Sequence, residues 1–243
     1  MDTLEDIIAK AMETTQKMQA MHAKKHAAVE RAELVRKELT VQDAVEKIRC
    51  IPDRFRQVVA TMLADGVPPA IAELTPALDQ TGTAVPFLTL VGKTGAGKTS
   101  TALAIPVARY MMAYAATYGS VEGIVAPGGS KSHATKAIIG GTVTAWRFMH
   151  ADDICTCRRS SKLGEEPRAV EWGMAHHPLI IDDVIGQQDQ DGDLYRVIRH
   201  REENGYQTII TSGLPFAGIE GAYGPQFARR MFAGVTKLIE RKP

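Results

Sequence analysis

The spacing of apolar residues separates the first 49 residues from the rest of the chain. In residues 1–49 apolar side chains recur mostly at helical spacing, and neither Gly nor Pro interrupts them. The stretch TVQD, Thr40–Asp43, is typical of a helix N-cap, because its hydroxyl and the acid three residues later can bind free backbone N–H groups. The pattern therefore predicts two or three helices, one of which begins at Thr40.

The predicted helices of residues 1–49 have two possible roles. Their apolar stripe can pack against the rest of the protein. Alternatively, the region is an arm that presents Met12, Met18 and Met21 to a partner, since flexible thioether side chains adapt to grooves. The sequence does not favour one role over the other.

Beyond Ile51, predicted strands alternate with predicted helices. Short apolar runs that are typical of buried strands occur in FLTLV (87–91), TAWRFMHA (144–151), PLIIDDVIG (178–186) and QTIITSG (207–213), and VTKLIERKP (235–243) is a closing strand or tail. Helical patterns separate most of these runs, whereas the Gly-rich stretch 119–142 is expected to be a long loop. The alternation predicts an α/β domain with a parallel sheet over residues 50–243.

Composition and charge exclude several classes of protein. With 44% hydrophobic and 23% charged residues the chain resembles an ordinary globular protein. A formal net charge of +1 gives no overall attraction to nucleic acid or membrane, so any contact with an acidic polymer must come from a local patch. An acidic N-terminus, the lack of a long apolar run and three scattered cysteines indicate a cytoplasmic location, without a membrane segment or a disulfide framework.

A glycine-rich loop between the first predicted strand and its helix predicts phosphate binding. It matches the pattern G-x-x-x-x-G-K-[ST] in full. Backbone N–H groups and the helix N-terminus would surround the β-phosphate, Lys98 would reach the β- and γ-phosphates, and Thr99 would bind Mg²⁺. The nucleotide-binding residues predicted here are Gly92, Lys93, Thr94, Gly95, Ala96, Gly97, Lys98, Thr99 and Ser100.

Two later strands end in polar residues, at the edge of the sheet where ligands of parallel sheets bind. Asp182 is the expected Mg²⁺-side acid, and Asp183 is the candidate that orients or activates the attacking water. Thr211 and Ser212 end the strand of residues 206–215 and could reach the γ-phosphate or the water; the alternative is a turn without a catalytic role. Together these motifs predict a site for ATP and Mg²⁺.

Two consecutive arginines, Arg229 and Arg230, lie on the short predicted helix GPQFARRMF. Neighbours on a helix point in different directions, so at most one of them is expected to face a given γ-phosphate. Two other pairings, Cys155 with Cys157 and His176 with His177, lack the spacing of a zinc site and are expected not to bind metal.

The order of these motifs resembles the AAA+ ATPases of the DnaC/IstB branch, which includes replicative helicase loaders of bacteria and phages and helper ATPases of certain transposons. The resemblance extends from Cys50 to the end of the chain and includes IPDRF (51–55), LIIDDVIG (179–186) and GPQFARRM (224–231). It implies a three-layer αβα domain with no full C-terminal lid. In that pattern Asp182 and Asp183 form the Walker B pair, and Arg230 matches an arginine finger that completes the ATP site of a neighbouring subunit.

The resemblance also implies roles that the residues do not establish by themselves. Sensor 1 of this branch usually ends in Asn, whereas Gly213 stands here, so Thr211 or Ser212 would substitute for it. The family places an element that contacts single-stranded DNA between the second and third core strands. In this chain that interval contains the basic residues Arg158, Arg159, Lys162 and Arg168, and the long loop adds Lys131 and Lys136; the alternative is that all of them are merely solvated. Trp146 and Phe148 lie just before the interval and could stack on bases, but the alternation of TAWRFMHA favours core positions for them.

The function expected from these features is that of an ATP-dependent replication factor. ATP would hold an oligomer with shared sites on single-stranded DNA, residues 1–49 would bind a hexameric replicative helicase, and weak hydrolysis, stimulated by DNA or the partner, would cause release. The alternative within the branch is a transposition helper that binds duplex DNA and a transposase. A small-molecule kinase is less favoured, because the paired Asp residues and the Arg-bearing helix are not expected of it.

Overall fold

The computed structural model describes residues 39–78, 86–118, 145–162, 164–186 and 189–240. The side chains of residues 116–118 are not among those described. Within these ranges no helix combines the length and the apolar character that a bilayer crossing requires. Met12, Met18, Met21, Lys131 and Lys136 lie outside the described residues, so the roles predicted for them stay predictions.

Three helices and a 3-10 turn precede the first described strand: α1 (Val41–Lys47), α2 (Asp53–Leu63), α3 (Pro69–Ala72) and the turn Thr75–Leu78. The predicted N-cap at Thr40 is confirmed, because its hydroxyl accepts from the Asp43 N–H and the Asp43 carboxylate accepts from the Thr40 N–H. Ala44, Val45 and Ile48 are fully buried in the core. Residues 39–48 thus belong to the packed domain, whereas the partner-binding role predicted for residues 1–49 stays a prediction.

The described strands form one five-stranded parallel sheet, as the sequence predicts. They are β1 (Phe87–Val91), β2 (Arg147–His150), β3 (Leu179–Val184), β4 (Thr208–Ser212) and β5 (Val235–Leu238). Their order in the sheet is β2-β3-β4-β1-β5, and every neighbouring pair is parallel. Since parallel strands share their direction, the carboxyl ends of all five lie at the same edge.

Helices cover both faces of this sheet. After β1 come α4 (Lys98–Tyr118), α5 (Ala151–Thr156) with a 3-10 turn at Cys157–Ser160, α6 (Arg168–Met174), α7 (Asp193–Glu203), α8 (Phe216–Tyr223) and α9 (Pro225–Met231). Side chains that alternate along a strand enter different cores. Leu88 and Ile209 pack with α1 to α4, whereas Phe87 and Ile210 pack with α5 to α9. The described domain therefore has the predicted three αβα layers.

Trp146, just before β2, is 4% exposed, and Phe148 packs partly buried against the same core. Both residues alternate in the strand pattern TAWRFMHA, which predicted core positions for them. The structure confirms that prediction.

A buried arginine joins several segments at the amino-terminal edge of the sheet. Arg201 of α7 is completely buried, and its guanidinium donates five hydrogen bonds of 2.8 Å each. The acceptors are Thr208 Oγ1 and the carbonyl oxygens of Gly173, Ala175, His177 and Gln207. This residue therefore fixes the end of α6 and the approaches to β3 and β4.

Candidate functional site

The predicted phosphate loop joins the carboxyl end of β1 to the first turn of α4. Gly92 opens the loop, and its N–H donates to the Ser212 carbonyl oxygen at 3.1 Å. A Cβ at Gly92 would lie 2.2 Å from the Ile239 carbonyl oxygen, so only glycine fits there. Gly97 has a φ of +90°, a conformation that side chains disfavour. These contacts explain why the loop requires glycines at both positions.

Lys98 and Thr99 occupy the first turn of α4. Lys98 is 7% exposed, and its ammonium donates to the Lys93 carbonyl oxygen at 3.0 Å, so it lies folded over the loop. Ser100 follows on the same helix and is half-buried. A cavity of about 510 Å³ lies beside the loop, lined by Gly92, Lys93, Thr94, Ala96, Leu238, Ile239 and Glu240.

The structure brings Thr99 and Asp182 together, as the predicted magnesium site requires. Asp182, on β3, is 3% exposed. Its Oδ1 accepts hydrogen bonds from Thr99 Oγ1 at 2.9 Å and from Thr211 Oγ1 at 2.7 Å. A carboxylate can accept about four hydrogen bonds, so Asp182 keeps acceptor capacity for a further ligand.

Asp183 is exposed, and its backbone has a φ of 64°, which is uncommon for a residue other than glycine. The pairing of β3 with β4 shifts register between Ile181 and Val184, so this conformation lies in a β-bulge. The Asp183 N–H donates to Thr211 Oγ1 at 2.9 Å. One threonine hydroxyl thus binds both members of the acidic pair.

The hydroxyl of Ser212 is occupied by backbone contacts. It is fully buried, lies 2.6 Å from the Val184 carbonyl oxygen, and accepts from the Leu214 N–H at 3.0 Å. Ser212 therefore holds the end of β4 against β3. Of Thr211 and Ser212, only Thr211 contacts the two aspartates. We call the group of Thr99, Asp182, Asp183 and Thr211 the acidic cluster.

The two candidate arginines of α9 differ in their surroundings. Arg229 is exposed. Arg230 has 17% of its side chain exposed and forms ion pairs with Glu202 and Glu203 of α7, the second at 3.6 Å. Arg230 is therefore held within its own chain, and the roles predicted for both arginines stay predictions.

The described basic candidates for DNA contact also differ. Arg158 donates to Asp193 at 2.7 Å and to Glu166 at 3.2 Å, and Arg196 contacts the same two acids. Arg159 is exposed, and Lys162 has 84% of its side chain exposed. Arg158 is thus part of an intramolecular ion-pair network, whereas Arg159 and Lys162 are open to solvent.

An arginine–tryptophan cluster, defined as Arg147, Arg168 and Trp172, lies on the described surface, and of its members the sequence suggested only Arg168 as a DNA contact. Trp172 is 44% exposed, and the two guanidinium carbons lie 5.2 Å (Arg147) and 4.5 Å (Arg168) from the centre of its ring. Within the described part of the chain, neither arginine forms an ion pair with a carboxylate. The spacing Arg168-x-x-x-Trp172 on a predicted helix was the available signal, because residues four apart share a face.

Cys155 and Cys157 are free thiols, the first buried and the second partly buried. Burial raises the pKa of Cys155 to about 12 and that of Cys157 to about 11, with neighbouring acids adding to both shifts. Among the described residues no cluster of three or more His, Cys, Asp or Glu side chains is arranged to hold a metal ion.

The parallel sheet, its covering helices and the loop at the end of β1 define a P-loop α/β protein. No protein-family model and no curated protein matches the chain. Solved structures that are similar in fold include the DnaC helicase loader, at 16% identity and a TM-score of 0.48, over 70% of this chain and 88% of that one.

Two DnaA structures are also similar. One is AMPPCP-bound DnaA from Aquifex aeolicus, at 16% identity and a TM-score of 0.47, over 70% of this chain and 44% of that one. The other is DnaA bound to AMPPCP and single-stranded DNA, at 17% identity and a TM-score of 0.48, over 72% of this chain and 46% of that one. This chain spans less than half the length of both DnaA chains.

Proposed function

We propose that this chain is an AAA+ ATPase of DNA replication, which binds ATP with Mg²⁺ at the phosphate loop and hydrolyses it. The observation that carries the proposal is the hydrogen-bonded group of Thr99, Asp182 and Thr211 beside that loop. Burying a carboxylate costs free energy that hydrogen bonds or a bound cation offset, and this carboxylate lies at the edge of the sheet where ligands of parallel sheets bind.

The residues present fit a magnesium ion. Mg²⁺ prefers oxygen ligands, and the Thr99 hydroxyl and the Asp182 carboxylate supply such atoms, directly or through water. The metal would neutralise charge on the phosphate oxygens. When the Thr99 hydroxyl binds the metal, Thr211 keeps the Asp182 carboxylate in place, because the hydrogen bond from Thr211 comes from β4 and not from α4.

The remaining site residues act on the phosphates and on water. Loop N–H groups bind the β-phosphate, and Lys98 exchanges the Lys93 carbonyl for a phosphate oxygen. Asp183 orients the attacking water or accepts its proton, and its placement depends on the Thr211 hydrogen bond to its N–H. For Arg230 to complete the ATP site of a neighbouring subunit, it must exchange Glu202 for the transferring phosphate.

The particular replication role that we propose is that of a helicase loader. The loader role rests on the sequence resemblance from Cys50 onward. The same resemblance supports two further proposals: a self-oligomer with shared ATP sites, and a helicase contact through the amino-terminal residues. Single-stranded DNA is the proposed nucleic-acid partner. On the described surface, the arginine–tryptophan cluster suits that partner best. An indole can stack on a base, and the two guanidinium groups, which have no carboxylate partner among the described residues, can bind phosphates.

Two measurements test the enzymatic part. Purified protein should release phosphate from ATP in the presence of Mg²⁺, and Lys98→Ala should reduce release by about 100-fold through lost phosphate contacts. A non-hydrolysable ATP analogue should increase the particle mass of the wild type but not that of the variant. Transfer of the γ-phosphate to a metabolite instead of water would contradict the proposal and favour a kinase.

The loader role requires a separate test. Deleting residues 1–38 should abolish capture of the replicative helicase while phosphate release from ATP continues, because α1 and the core remain intact. Deleting residues 1–49 is the wrong experiment, since it removes Ala44, Val45 and Ile48 from the core. Unchanged helicase capture would overturn the loader role, and a preference for duplex DNA in fluorescence anisotropy would favour the transposition helper.

A further inference from the structure

The last residue of β2, His150, approaches the acidic cluster from the strand beside Asp182. The two residues are partners in the register of the parallel pair. His150 Nδ1 lies 3.6 Å from Asp182 Oδ2, the carboxylate oxygen that neither Thr99 nor Thr211 contacts. The three side chains therefore surround the carboxylate from three different elements: β2, α4 and β4.

The other ring nitrogen of His150 faces Arg54 on α2. Arg54 Nη2 lies 3.2 Å from His150 Nε2. A guanidinium group can only donate hydrogen bonds, so Nε2 must be the acceptor and the ring proton must be on Nδ1. The contact with Arg54 thus selects the tautomer whose N–H is directed at Asp182.

Aromatic contacts fix the ring in this orientation. Phe148 meets the His150 ring edge to face, with centres 5.0 Å apart and planes at 86°. The Arg54 guanidinium carbon in turn lies 4.9 Å from the centre of the Phe55 ring. The histidine is 38% exposed, so it is not a core residue whose only role is packing.

We propose that His150, with its tautomer set by Arg54, is a positioning residue for Asp182. Its Nδ1–H holds Oδ2, while the threonine hydroxyls hold Oδ1, so the carboxylate plane cannot rotate when Mg²⁺-ATP binds. A separation of 3.6 Å is long for a hydrogen bond, and such contacts tighten when the ligand arrives. The inference rests on the proposed function, because it assigns a residue to the same metal site.

A set of variants separates this role from a structural one. His150→Leu removes both nitrogens, whereas His150→Asn keeps an N–H donor near the position of Nδ1 and loses the contact with Arg54. Arg54→Met removes the group that selects the tautomer. Arg56→Met is the matched control, because Arg56 is on the same helix and pairs with Asp53 at 2.9 Å, away from the cluster.

The first readout is the affinity for a non-hydrolysable ATP analogue, measured with Mg²⁺ and again with a chelator. His150→Leu should weaken Mg²⁺-dependent binding by roughly 10-fold and leave metal-free binding unchanged. His150→Asn should recover most of this loss, Arg54→Met should lie between, and Arg56→Met should match the wild type. Equal loss in His150→Leu and His150→Asn, or wild-type binding by His150→Leu, would overturn the inference.

The second readout does not depend on nucleotide. In ¹⁵N NMR of the nucleotide-free protein, at a mildly alkaline pH where free imidazoles are neutral, the His150 proton should be on Nδ1. The His150→Asn spectrum assigns the signal, and Arg54→Met should shift the proton towards Nε2. A proton on Nε2 in the wild type would overturn the inference. If Lys98→Ala instead binds the analogue like the wild type, the proposed function fails.

Discussion

The two ends of the parallel sheet each bury a charged side chain, but they treat it differently. At the amino-terminal edge, all five N–H groups of Arg201 have an acceptor, and four of these acceptors are backbone carbonyl oxygens. Burial lowers the pKa of Arg201 to about 9, which still leaves the guanidinium charged at neutral pH. Its hydrogen-bonding capacity is therefore used entirely within the chain.

At the carboxyl-terminal edge, Asp182 accepts two hydrogen bonds at one oxygen and is approached by His150 at the other. Its acceptors are not saturated. Burial alone therefore does not identify a functional charge. A buried charge whose partners are all internal stabilises the fold, whereas one with remaining capacity at a ligand-binding edge is available for chemistry.

The largest effect on stability is expected at the amino-terminal edge of the sheet, where all N–H groups of Arg201 have acceptors. Arg201→Met removes the donor from the Thr208 hydroxyl and from three carbonyl groups, while the Gln207 carbonyl oxygen keeps the Leu179 N–H, so the free energy of unfolding should fall by about 4 kcal/mol. Denaturant unfolding measures this loss. Arg199→Met is the control, because Arg199 forms a solvent-exposed pair with Glu203, and such pairs contribute little to stability. Equal costs for the two variants would remove the basis of the comparison.

The next largest effect is expected at the carboxyl-terminal edge, where a change of Asp182 should lower the activity and not the stability. Asp182→Asn keeps an oxygen acceptor for the two threonines but removes the charge, so ATP turnover should fall by about 100-fold. The free energy of unfolding should change by less than about 1 kcal/mol, because burial of an amide costs less than burial of a carboxylate. Phosphate release and denaturant unfolding are measured on the same preparation. A loss of stability as large as that of Arg201→Met would make Asp182 a structural residue.

A smaller effect should divide two threonines of the same strand. The Thr208 hydroxyl accepts from Arg201, and the Thr211 hydroxyl donates to Asp182. Thr208→Val should lower the free energy of unfolding by about 2 kcal/mol and leave turnover unchanged. Thr211→Val should reduce turnover about 10-fold and cost about 1 kcal/mol of stability, because the Asp183 N–H also loses its acceptor. If both variants change the same property, the two edges are not functionally distinct.

The smallest effect concerns the arginine–tryptophan cluster, which lies beside the first residue of β2. Trp172→Ala should weaken binding of a single-stranded oligonucleotide about 5-fold, through the loss of one stacking contact. Turnover without DNA should not change, and Trp172→Phe should retain most of the affinity. Fluorescence anisotropy at fixed salt measures the difference. Unaltered binding by Trp172→Ala would limit the cluster to a structural role.

Most of the sheet could be predicted from the sequence, because its central strands are buried on both faces and appear as continuous apolar runs. The predicted strand ends agree with β1, β3 and β4 within a few residues. The helix α8 was not predicted, since Gly218 and Gly221 weaken its pattern. Tertiary contacts hold it instead: Ile219 is fully buried, and Tyr223 stacks on the Phe227 ring with centres 4.3 Å apart.

The meeting of Thr99 with Asp182 was predictable, because parallel strands bring their carboxyl ends to one edge. His150 also ends a predicted strand, so its place at that edge could have been inferred. Its contact with Arg54 could not, because that requires the packing of α2 against the edge. Arg201 carries no local signal, since Arg196 and Arg199 on the same helix have the same residue type and different surroundings.

The position of β1 in the sheet has a consequence for how the protein is made. Its neighbours are β4 and β5, which follow it by more than 100 residues in the chain. Contacts between distant segments form late and slowly during folding. Gly92 reaches Ser212 and closely approaches Ile239 only after both strands have emerged from the ribosome. A nascent chain that ends before β4 thus contains the whole phosphate-loop motif, but neither of the two strands that flank β1 in the sheet.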